Sequence, residues 1–200
     1  MILDNTLNLD ASIGLFLSPD DRKRDNLLED FEKGGLFVNN PAGELQLTNW
    51  HIYNVGFDIF CNRLIDTDEP KFLFSVSTVP SEINFTFDSN MQPQVAYVEN
   101  GVVKFRWFDS EVEKFTTTIY ENVYSPRLCL DDKRKLETAY RDVLLFYIKI
   151  GPPDKLCYRQ QRDRYTIERE LMEVPENTKR LGRVGMATTR RVQIEFITQK

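Results

Sequence analysis

The stretch that decides the fold is residues 83–123, "INFTFDSNMQPQVAYVENGVVKFRWFDSEVEKFTTTIYENV". It divides into four short runs of β-branched and aromatic residues, separated by turn residues. In "VVKFRWF", Phe105 and Trp107 alternate with Lys104 and Arg106, so one face of the strand is apolar and the other is basic. These features predict a four-stranded antiparallel meander.

A second stretch, "RLCLDDKRKLETAYRDVLLFYIKIGPPDKLCYRQQRDRYTIERELMEV", aligns with the first over four strands. At an offset of about fifty residues, Tyr158 matches Trp107 in the third strand, and Tyr165 matches Phe115 at the start of the fourth. The alignment predicts two blade-like four-stranded repeats. Their predicted bounds are about 82–123 and 127–174.

The fold class predicted for the chain is mainly β, with antiparallel sheets. A propeller of four blades of about fifty residues would use all 200 residues, which leaves no room for an N-terminal segment. We therefore expect the meanders to pack as a sandwich or as an incomplete propeller with edges that need covering. Residues 132–147 are also compatible with a helix; we expect a loop or short helix that leads into a strand.

Residues 1–34 are predicted to form an assembly segment that precedes a β domain over residues 35–200. The first part, "MILDNTLNLDASIGLFL", has no helical period and is interpreted as an extended arm, the alternative being a frayed terminus. In the next part, Ser18 can cap a helix that starts with Pro19 and ends before two glycines. One short helix is therefore predicted at about 19–33.

Charge is unevenly distributed along a chain whose net charge is −5 and whose pI is about 5.1. Residues 1–45 contain nine acids and four bases, a net charge of −5, whereas residues 155–200 contain six acids and eleven bases, a net charge of +5. The acidic balance argues against a receptor for polyanions over its whole surface. We expect the acidic start of one copy to contact the basic end of the next.

The cysteines and the apolar runs indicate the compartment. The three cysteines are far apart and form no CxxC motif, so we expect reduced thiols in the core. The start "MILDNTLNLD" lacks the features of a secretory signal, and no apolar run reaches the ~18 residues of a membrane helix. These features favour a protein of a reducing cytoplasm, or of a particle assembled there.

Catalytic and metal motifs are not found in the sequence. The single histidine, His51, lies in "NWHIYNV" without a serine elbow, a P-loop, GxGxxG or HExxH, and we expect it to be a packed side chain. Asp88 with Asn90, and Asp131 with Asp132, lack the ligand spacing of a calcium loop and fit turns better. We predict no catalytic residue, no metal ligand and no cofactor.

The stretch "KLCYRQQRDRYTIERELM", residues 155–172, mixes arginines with tyrosines as a groove for single-stranded nucleic acid would. Such binding would weaken steeply as salt rises. The repeat alignment favours a different interpretation, a charged sheet edge in which arginines pair with nearby acids. The arginines concerned are Arg159, Arg162, Arg164 and Arg169.

A family resemblance extends over roughly residues 80–198. The series "QPQVAYVENGVVKFRWFD", "YSPRLCLDDKR", "RDVLLFYIK", "YRQQRDRYTIERELM" and "LGRVGMATTRRVQIEFI" resembles small β-rich structural proteins of tailed bacteriophage virions, from the tail or the head–tail connector. The resemblance implies a non-enzymatic virion protein, made in the host bacterial cytoplasm. Its implied partners are copies of itself and other virion proteins of the tail, connector or fibres. It carries no catalytic residues.

An assembly protein of this kind is expected to use its arm, its helix and its basic end as interfaces. The candidate interface residues are Leu7, Leu9, Ile13, Leu15 and Phe16 in the arm, Leu27, Leu28 and Phe31 on the helix, and Arg180, Arg183, Arg190 and Arg191 at the basic end.

The alternative function is a carbohydrate-binding, receptor-directed module or a glycan-active tail protein. Aromatic side chains that could stack on sugar rings motivate it, although Trp107 falls on the predicted apolar face, where core packing is the expected use. The aromatic candidates are Trp50, Trp107, Tyr120 and Tyr124.

Overall fold

The computed structural model describes residues 36–39, 49–63, 70–88, 92–132, 141–186 and 192–198. These ranges contain fourteen strands and one 3-10 helix, Gln161–Asp163. The strands are β1 Leu36–Asn39, β2 Asn49–Val55, β3 Asp58–Arg63, β4 Lys71–Ser75, β5 Glu82–Phe87, β6 Pro93–Glu99, β7 Val102–Asp109, β8 Lys114–Tyr120, β9 Val123–Asp132, β10 Arg141–Lys149, β11 Lys155–Gln160, β12 Arg169–Glu173, β13 Thr178–Met186 and β14 Val192–Thr198.

The strands form three antiparallel four-stranded meanders and a hairpin, in chain order. We call β1–β4 sheet 1, β5–β8 sheet 2, β9–β12 sheet 3 and β13–β14 the terminal hairpin. Sheets 2 and 3 are the two predicted meanders, so the predicted mainly β fold class is confirmed. Sheet 1 is a third meander, which the sequence did not predict as a four-stranded unit.

Each meander packs face to face on the next one in the chain. Sheets 2 and 3 contribute apolar residues from both faces, because their neighbours cover them on two sides. Sheet 1 meets sheet 2 through Ile52, Ile59, Phe74, Phe85 and Tyr97. Sheet 2 meets sheet 3 through Phe105, Trp107, Leu128, Leu145 and Tyr147, and sheet 3 meets the hairpin through Phe146, Leu156, Leu181 and Val184.

The first strands of successive layers lie next to one another. β1 contacts β5, β5 contacts β9, and β9 contacts β13, whereas the last strands β4, β8 and β12 present mostly exposed or half-buried side chains. The sheets therefore spread from a shared inner edge as blades do, and the described sheets do not close into a ring. This arrangement corresponds to the incomplete propeller among the predicted alternatives.

The inner edge is joined by buried polar contacts as well as by apolar packing. Arg127 of β9, 4% exposed, bonds Glu82 of β5 at 2.8 Å and donates from Nε and Nη2 to the carbonyls of Gly182 and Leu181 at 2.9 and 2.6 Å. One guanidinium thus links three layers. Because its five N–H donors point in fixed directions, it also specifies their register.

Local sequence explains the sharpest turn of sheet 2. The link between β6 and β7 is Asn100–Gly101, with φ of 53° and 75°. Two residues in the left-handed region form the hairpin turn that matches the twist of antiparallel strands, and Asn-Gly is the pair that adopts it most easily.

Tyr165 does not open the fourth strand of sheet 3, so this part of the repeat alignment is wrong. The fourth strand, β12, begins at Arg169. Tyr165 instead follows the 3-10 helix in a turn where Arg164 and Tyr165 both have positive φ, 51° and 56°. The turn directs the Tyr165 ring into the core between sheets 2 and 3, where it is 2% exposed.

The predicted arm over residues 1–17 and the predicted helix at about 19–33 lie outside the described residues. Of residues 132–147, the back half is the strand β10, as predicted. Cys61, Cys129 and Cys157 are buried and are not joined in a disulfide, in agreement with the predicted core thiols. Burial raises the pKa of Cys61 and of Cys157 to about 11, which keeps both thiols protonated at neutral pH.

Candidate functional site

The arginine-rich stretch of residues 155–172 forms ion pairs within the protein. Each of its four arginines contacts a carboxylate, which confirms the predicted charged sheet edge. Arg162 lies 3.0 Å from Asp142, Arg169 lies 2.5 Å from Asp163, and Arg159 lies 3.3 Å from Glu168. Arg164 pairs with Asp109 and Glu111 across the boundary between sheets 3 and 2.

These pairs join corresponding turns of neighbouring blades. Asp109 ends the third strand of sheet 2, and Arg164 lies in the matching turn of sheet 3. Bonds from Arg164 lower the pKa of Asp109 despite its burial. The Tyr165 hydroxyl bonds Gln94 at 2.5 Å beneath this pair. Through Arg164 and Tyr165 the stretch connects sheets 2 and 3, whereas its other three arginines pair with carboxylates within residues 142–168.

A different surface is partly exposed, on the face of sheet 2 against which sheet 1 packs. Tyr97 of β6 packs against sheet 1, and the residues beside it on β7 and β8 continue the same face. On β8, Ile119 is 57% exposed and Phe115 is 36% exposed. We call this surface the seam face; it consists of Lys104, Arg106, Phe108, Phe115, Thr117 and Ile119.

A cavity of about 190 Å³ opens at the boundary between sheet 1 and the seam face. We call it the seam pocket. It is mostly apolar, with three aromatic rings, one charged side chain and one amide at its wall. The residues that shape it are Phe72, Phe74, Gln92, Pro93, Arg106 and Phe115.

Arg106 lies between two aromatic rings at the seam pocket. Its Cζ is 5.0 Å from the ring centroid of Phe74 on sheet 1 and 5.0 Å from that of Phe115 on sheet 2. Burial lowers the pKa of Arg106, and the neighbouring phenol of Tyr97 partly offsets this effect. No carboxylate among the described residues pairs with this guanidinium.

Lys104, the other cation on the same face, provides a contrast. Its ammonium group pairs with Glu99, whose carboxylate also accepts bonds from the backbone N–H groups of Ser77 and Thr78 at 2.5 and 2.8 Å. These bonds lower the pKa of Glu99 to about 2, although its burial acts in the opposite direction. The charge of Lys104 is therefore neutralised within the protein, and that of Arg106 is not.

The face of sheet 1 that points away from sheet 2 carries an aromatic ladder. The rings of Tyr53 and Phe60 stack with centroids 6.0 Å apart, and Phe60 meets Phe72 edge to face at 5.8 Å. Phe72, on the outer strand β4, is 57% exposed and also lines the seam pocket. The ladder, the pocket and the seam face therefore form one continuous surface.

At the other end of the array lies the terminal hairpin, a layer of two strands. Arg180 and Arg183, two of the predicted interface residues, lie half-buried on β13. The backbone N–H of Arg183 donates to Glu195 of β14 at 3.1 Å. The other ten predicted interface residues lie outside the described residues: Leu7, Leu9, Ile13, Leu15, Phe16, Leu27, Leu28, Phe31, Arg190 and Arg191.

The remaining candidates from the sequence occupy structural positions where they are described. Trp107 and Tyr120, proposed for sugar stacking, are buried between sheets 2 and 3. Tyr124 is half-buried and donates to Asp154 at 2.9 Å. Trp50 and His51 lie on β2. Asp88 is buried and accepts a bond from Gln161 of sheet 3 at 3.1 Å.

The described residues contain neither a metal-binding cluster nor a membrane-spanning helix. In the described ranges, no three His, Cys, Asp or Glu side chains are grouped so that they could hold a metal ion. Nor does any helix there have the length and apolar character needed to span a membrane. The chain matches no protein-family model, no curated protein and no solved structure.

Sequence reasoning placed Arg106 correctly on the basic face of β7 but did not single it out. The alternation in "KFRWF" gives the face of the strand, which a local pattern can supply. The pocket depends on sheet 1, whose Phe72 and Phe74 are more than thirty residues away along the chain. No local signal reports how much of this face sheet 1 covers.

Proposed function

We propose that this chain is a non-enzymatic structural subunit that assembles with copies of itself and with other proteins of a particle. The observation that carries the proposal is the open array, which ends in an aromatic ladder on sheet 1, where Phe72 is 57% exposed, and in a two-stranded hairpin at the other side. Inside the chain, three apolar cores join successive layers: sheet 1 with sheet 2, sheet 2 with sheet 3, and sheet 3 with the terminal hairpin. A subunit that continues this stacking across copies would cover the ends in the same way.

Two ends of different structure favour head-to-tail contacts. The ladder is aromatic, whereas the hairpin carries Arg180, Arg183 and only two strands. A contact between unlike surfaces generates rings if the rotation closes and filaments if it does not. Among the described strands β14 pairs only with β13, so its other edge is a candidate for pairing with a strand of a partner.

The sequence resemblance supports a more specific placement. Residues 80–198 resemble virion proteins of tailed bacteriophages, and rings built from one subunit type suit the tail or the head–tail connector. We therefore propose the virion as the location, with tail, connector or fibre proteins as further partners. The carbohydrate-binding alternative is weakened by the burial of Trp107 and Tyr120.

The test compares two exposed apolar residues. Phe72 and Ile150 are 57% and 58% exposed, but only Phe72 belongs to the ladder; Ile150 lies next to the turn between β10 and β11. Sedimentation velocity over a concentration series should show that the wild-type chain associates, that Phe72→Lys weakens association at least about tenfold, and that Ile150→Lys does not. A wild-type chain that stays monomeric, or equal effects of both variants, would contradict the proposal.

A further inference from the structure

The seam pocket contains a cation that is held in place without an anion. The guanidinium of Arg106 is fixed by ring contacts at 5.0 Å on both sides, one from each sheet. Lys104, Arg159, Arg162, Arg164 and Arg169 all have carboxylate partners. Arg106 has none among the described residues, so its N–H donors remain available at the pocket.

The site favours a carboxylate as its ligand. Arginine remains charged at all physiological pH values, and its planar fork matches a carboxylate through two parallel hydrogen bonds. Partial burial has already removed part of the water around Arg106, as the lowered pKa indicates. Ligand binding therefore has to remove less water from Arg106 than from a fully exposed arginine. The rings on either side also reduce the freedom of the side chain before binding.

The walls of the pocket indicate which kind of chemical group should lie beside the carboxylate of the ligand. Phe72 and Phe115 are exposed to 57% and 36% and both line the pocket, where Phe115 contacts the guanidinium of Arg106. The volume of about 190 Å³ equals the share of about six water molecules in the liquid. A carboxylate that carries an apolar side chain beside it would fill this space and cover both rings.

We propose that the seam pocket binds a carboxylate presented next to an apolar side chain, and that the Leu-Asp pairs within residues 1–17 of a second copy supply it. These pairs are Leu3–Asp4 and Leu9–Asp10. Asp4 and Asp10 are the only charged side chains in "MILDNTLNLDASIGLFL", which makes the segment complementary to an unpaired arginine in an aromatic pocket. The proposal rests on the proposed self-assembly.

A neighbouring copy is the source that the proposed self-assembly supplies. Residues 1–35 lead into β1, at the inner edge of sheet 1, whereas the pocket opens between the outer strands β4 and β8. An extended segment with alternating Leu and polar residues suits an exposed sheet edge such as β4 or β8, to which it can add as a strand.

Peptide binding tests the pocket. A fluorescent peptide of residues 1–17 is titrated into the full-length chain carrying Asp4→Asn and Asp10→Asn, so that the chain's own segment does not compete. We expect saturable binding that weakens at least about tenfold when the chain also carries Arg106→Gln. A peptide with both aspartates changed to asparagine should weaken equally. Arg162→Gln, a matched arginine on sheet 3 that pairs with Asp142, should leave binding unchanged.

Three outcomes would overturn the inference: no binding, equal binding by the Asn peptide, or equal binding by the Arg106→Gln chain. Circular dichroism of each variant checks that the fold is retained. Sedimentation of the wild-type chain separates this proposal from the proposed function. If the peptide binds through Arg106 but the wild-type chain is monomeric, the assignment to a second copy and the proposed assembly both fail, while the carboxylate chemistry of the pocket stands. If the chain associates but Arg106→Gln has no effect, only the pocket inference fails.

Discussion

The two boundaries of sheet 2 are built differently. On the side of sheet 3, the apolar core is closed at its turn end by the Tyr165–Gln94 bond and the Arg164–Asp109 pair, and at its inner edge by Arg127–Glu82. On the side of sheet 1, apolar packing covers only β5 and β6, and the face of β7 and β8 is partly exposed. The boundary between sheets 2 and 3 is closed by residues of the chain itself. The boundary between sheets 1 and 2 is covered over only part of the face of sheet 2.

This difference distinguishes side chains that hold two sheets together from side chains that can bind a partner. Where polar groups are buried and all bonded to each other, they specify one packing and leave nothing for a partner. Where a cation lies between rings without a counterion, the same chemistry is available to a ligand. Substitutions at the boundary between sheets 2 and 3 should therefore lower stability, whereas substitutions at the boundary between sheets 1 and 2 should weaken association.

The largest expected effect is the loss of Tyr165. Its ring meets Phe105 and Trp107 edge to face at centroid distances of 4.6 and 5.1 Å, and its hydroxyl bonds Gln94. Tyr165→Ala should lower the free energy of unfolding by about 4 kcal/mol, because it creates a cavity and leaves a buried amide unpaired. Phe115→Ala, the matched change at the open boundary, should lower it by about 1 kcal/mol, because the ring is already partly exposed. Urea denaturation measures both values, and equal losses would contradict the distinction between the boundaries.

An intermediate effect is expected at Glu99, which ties the connector between sheets 1 and 2. Its pKa is lowered from 4.5 to about 2 by bonds from Lys104, Ser77 and Thr78. Since the folded protein favours the charged form, this stabilisation is fully present above pH 4.5 and is lost as the pH falls towards 2. Glu99→Gln should cost about 2 kcal/mol at pH 7.

The pH profile of Glu99→Gln provides the check. The difference in unfolding free energy between wild type and variant should shrink as the pH is lowered from 4.5 to 2. Glu173→Gln, at an exposed position of β12, should change stability at pH 7 by no more than about 0.5 kcal/mol. A difference for Glu99→Gln that is constant with pH would show that the stabilisation has a different origin.

Sequence patterns predicted the strands better than the places where the sheets meet. The period-two alternation placed Phe105 and Trp107 on the buried face of β7, and runs of β-branched and aromatic residues between turn residues predicted the four strands of sheet 2. Tyr165 was misplaced because the chain turns there without glycine, and contacts with Phe105, Trp107 and Gln94 hold the unusual backbone. Those partners are more than fifty residues away, so no local rule reports them. The seam pocket is of the same kind, since its lining residues come from β4 of sheet 1, from β6, β7 and β8 of sheet 2, and from Gln92 just before β6.

The smallest expected effect on stability belongs to Arg106, and this is what distinguishes it from Arg127. Arg106→Met retains an apolar stem between Phe74 and Phe115 and removes a partly buried charge that has no carboxylate partner among the described residues. The lost cation–π contacts, about 0.5–1 kcal/mol, are offset by the relief of desolvation. The unfolding free energy should therefore change by no more than about 0.5 kcal/mol in urea denaturation. A loss of 2 kcal/mol or more would mean that Arg106 is a structural residue like Arg127. An arginine that contributes little to stability yet is held in a fixed position between two sheets is better explained by what it binds.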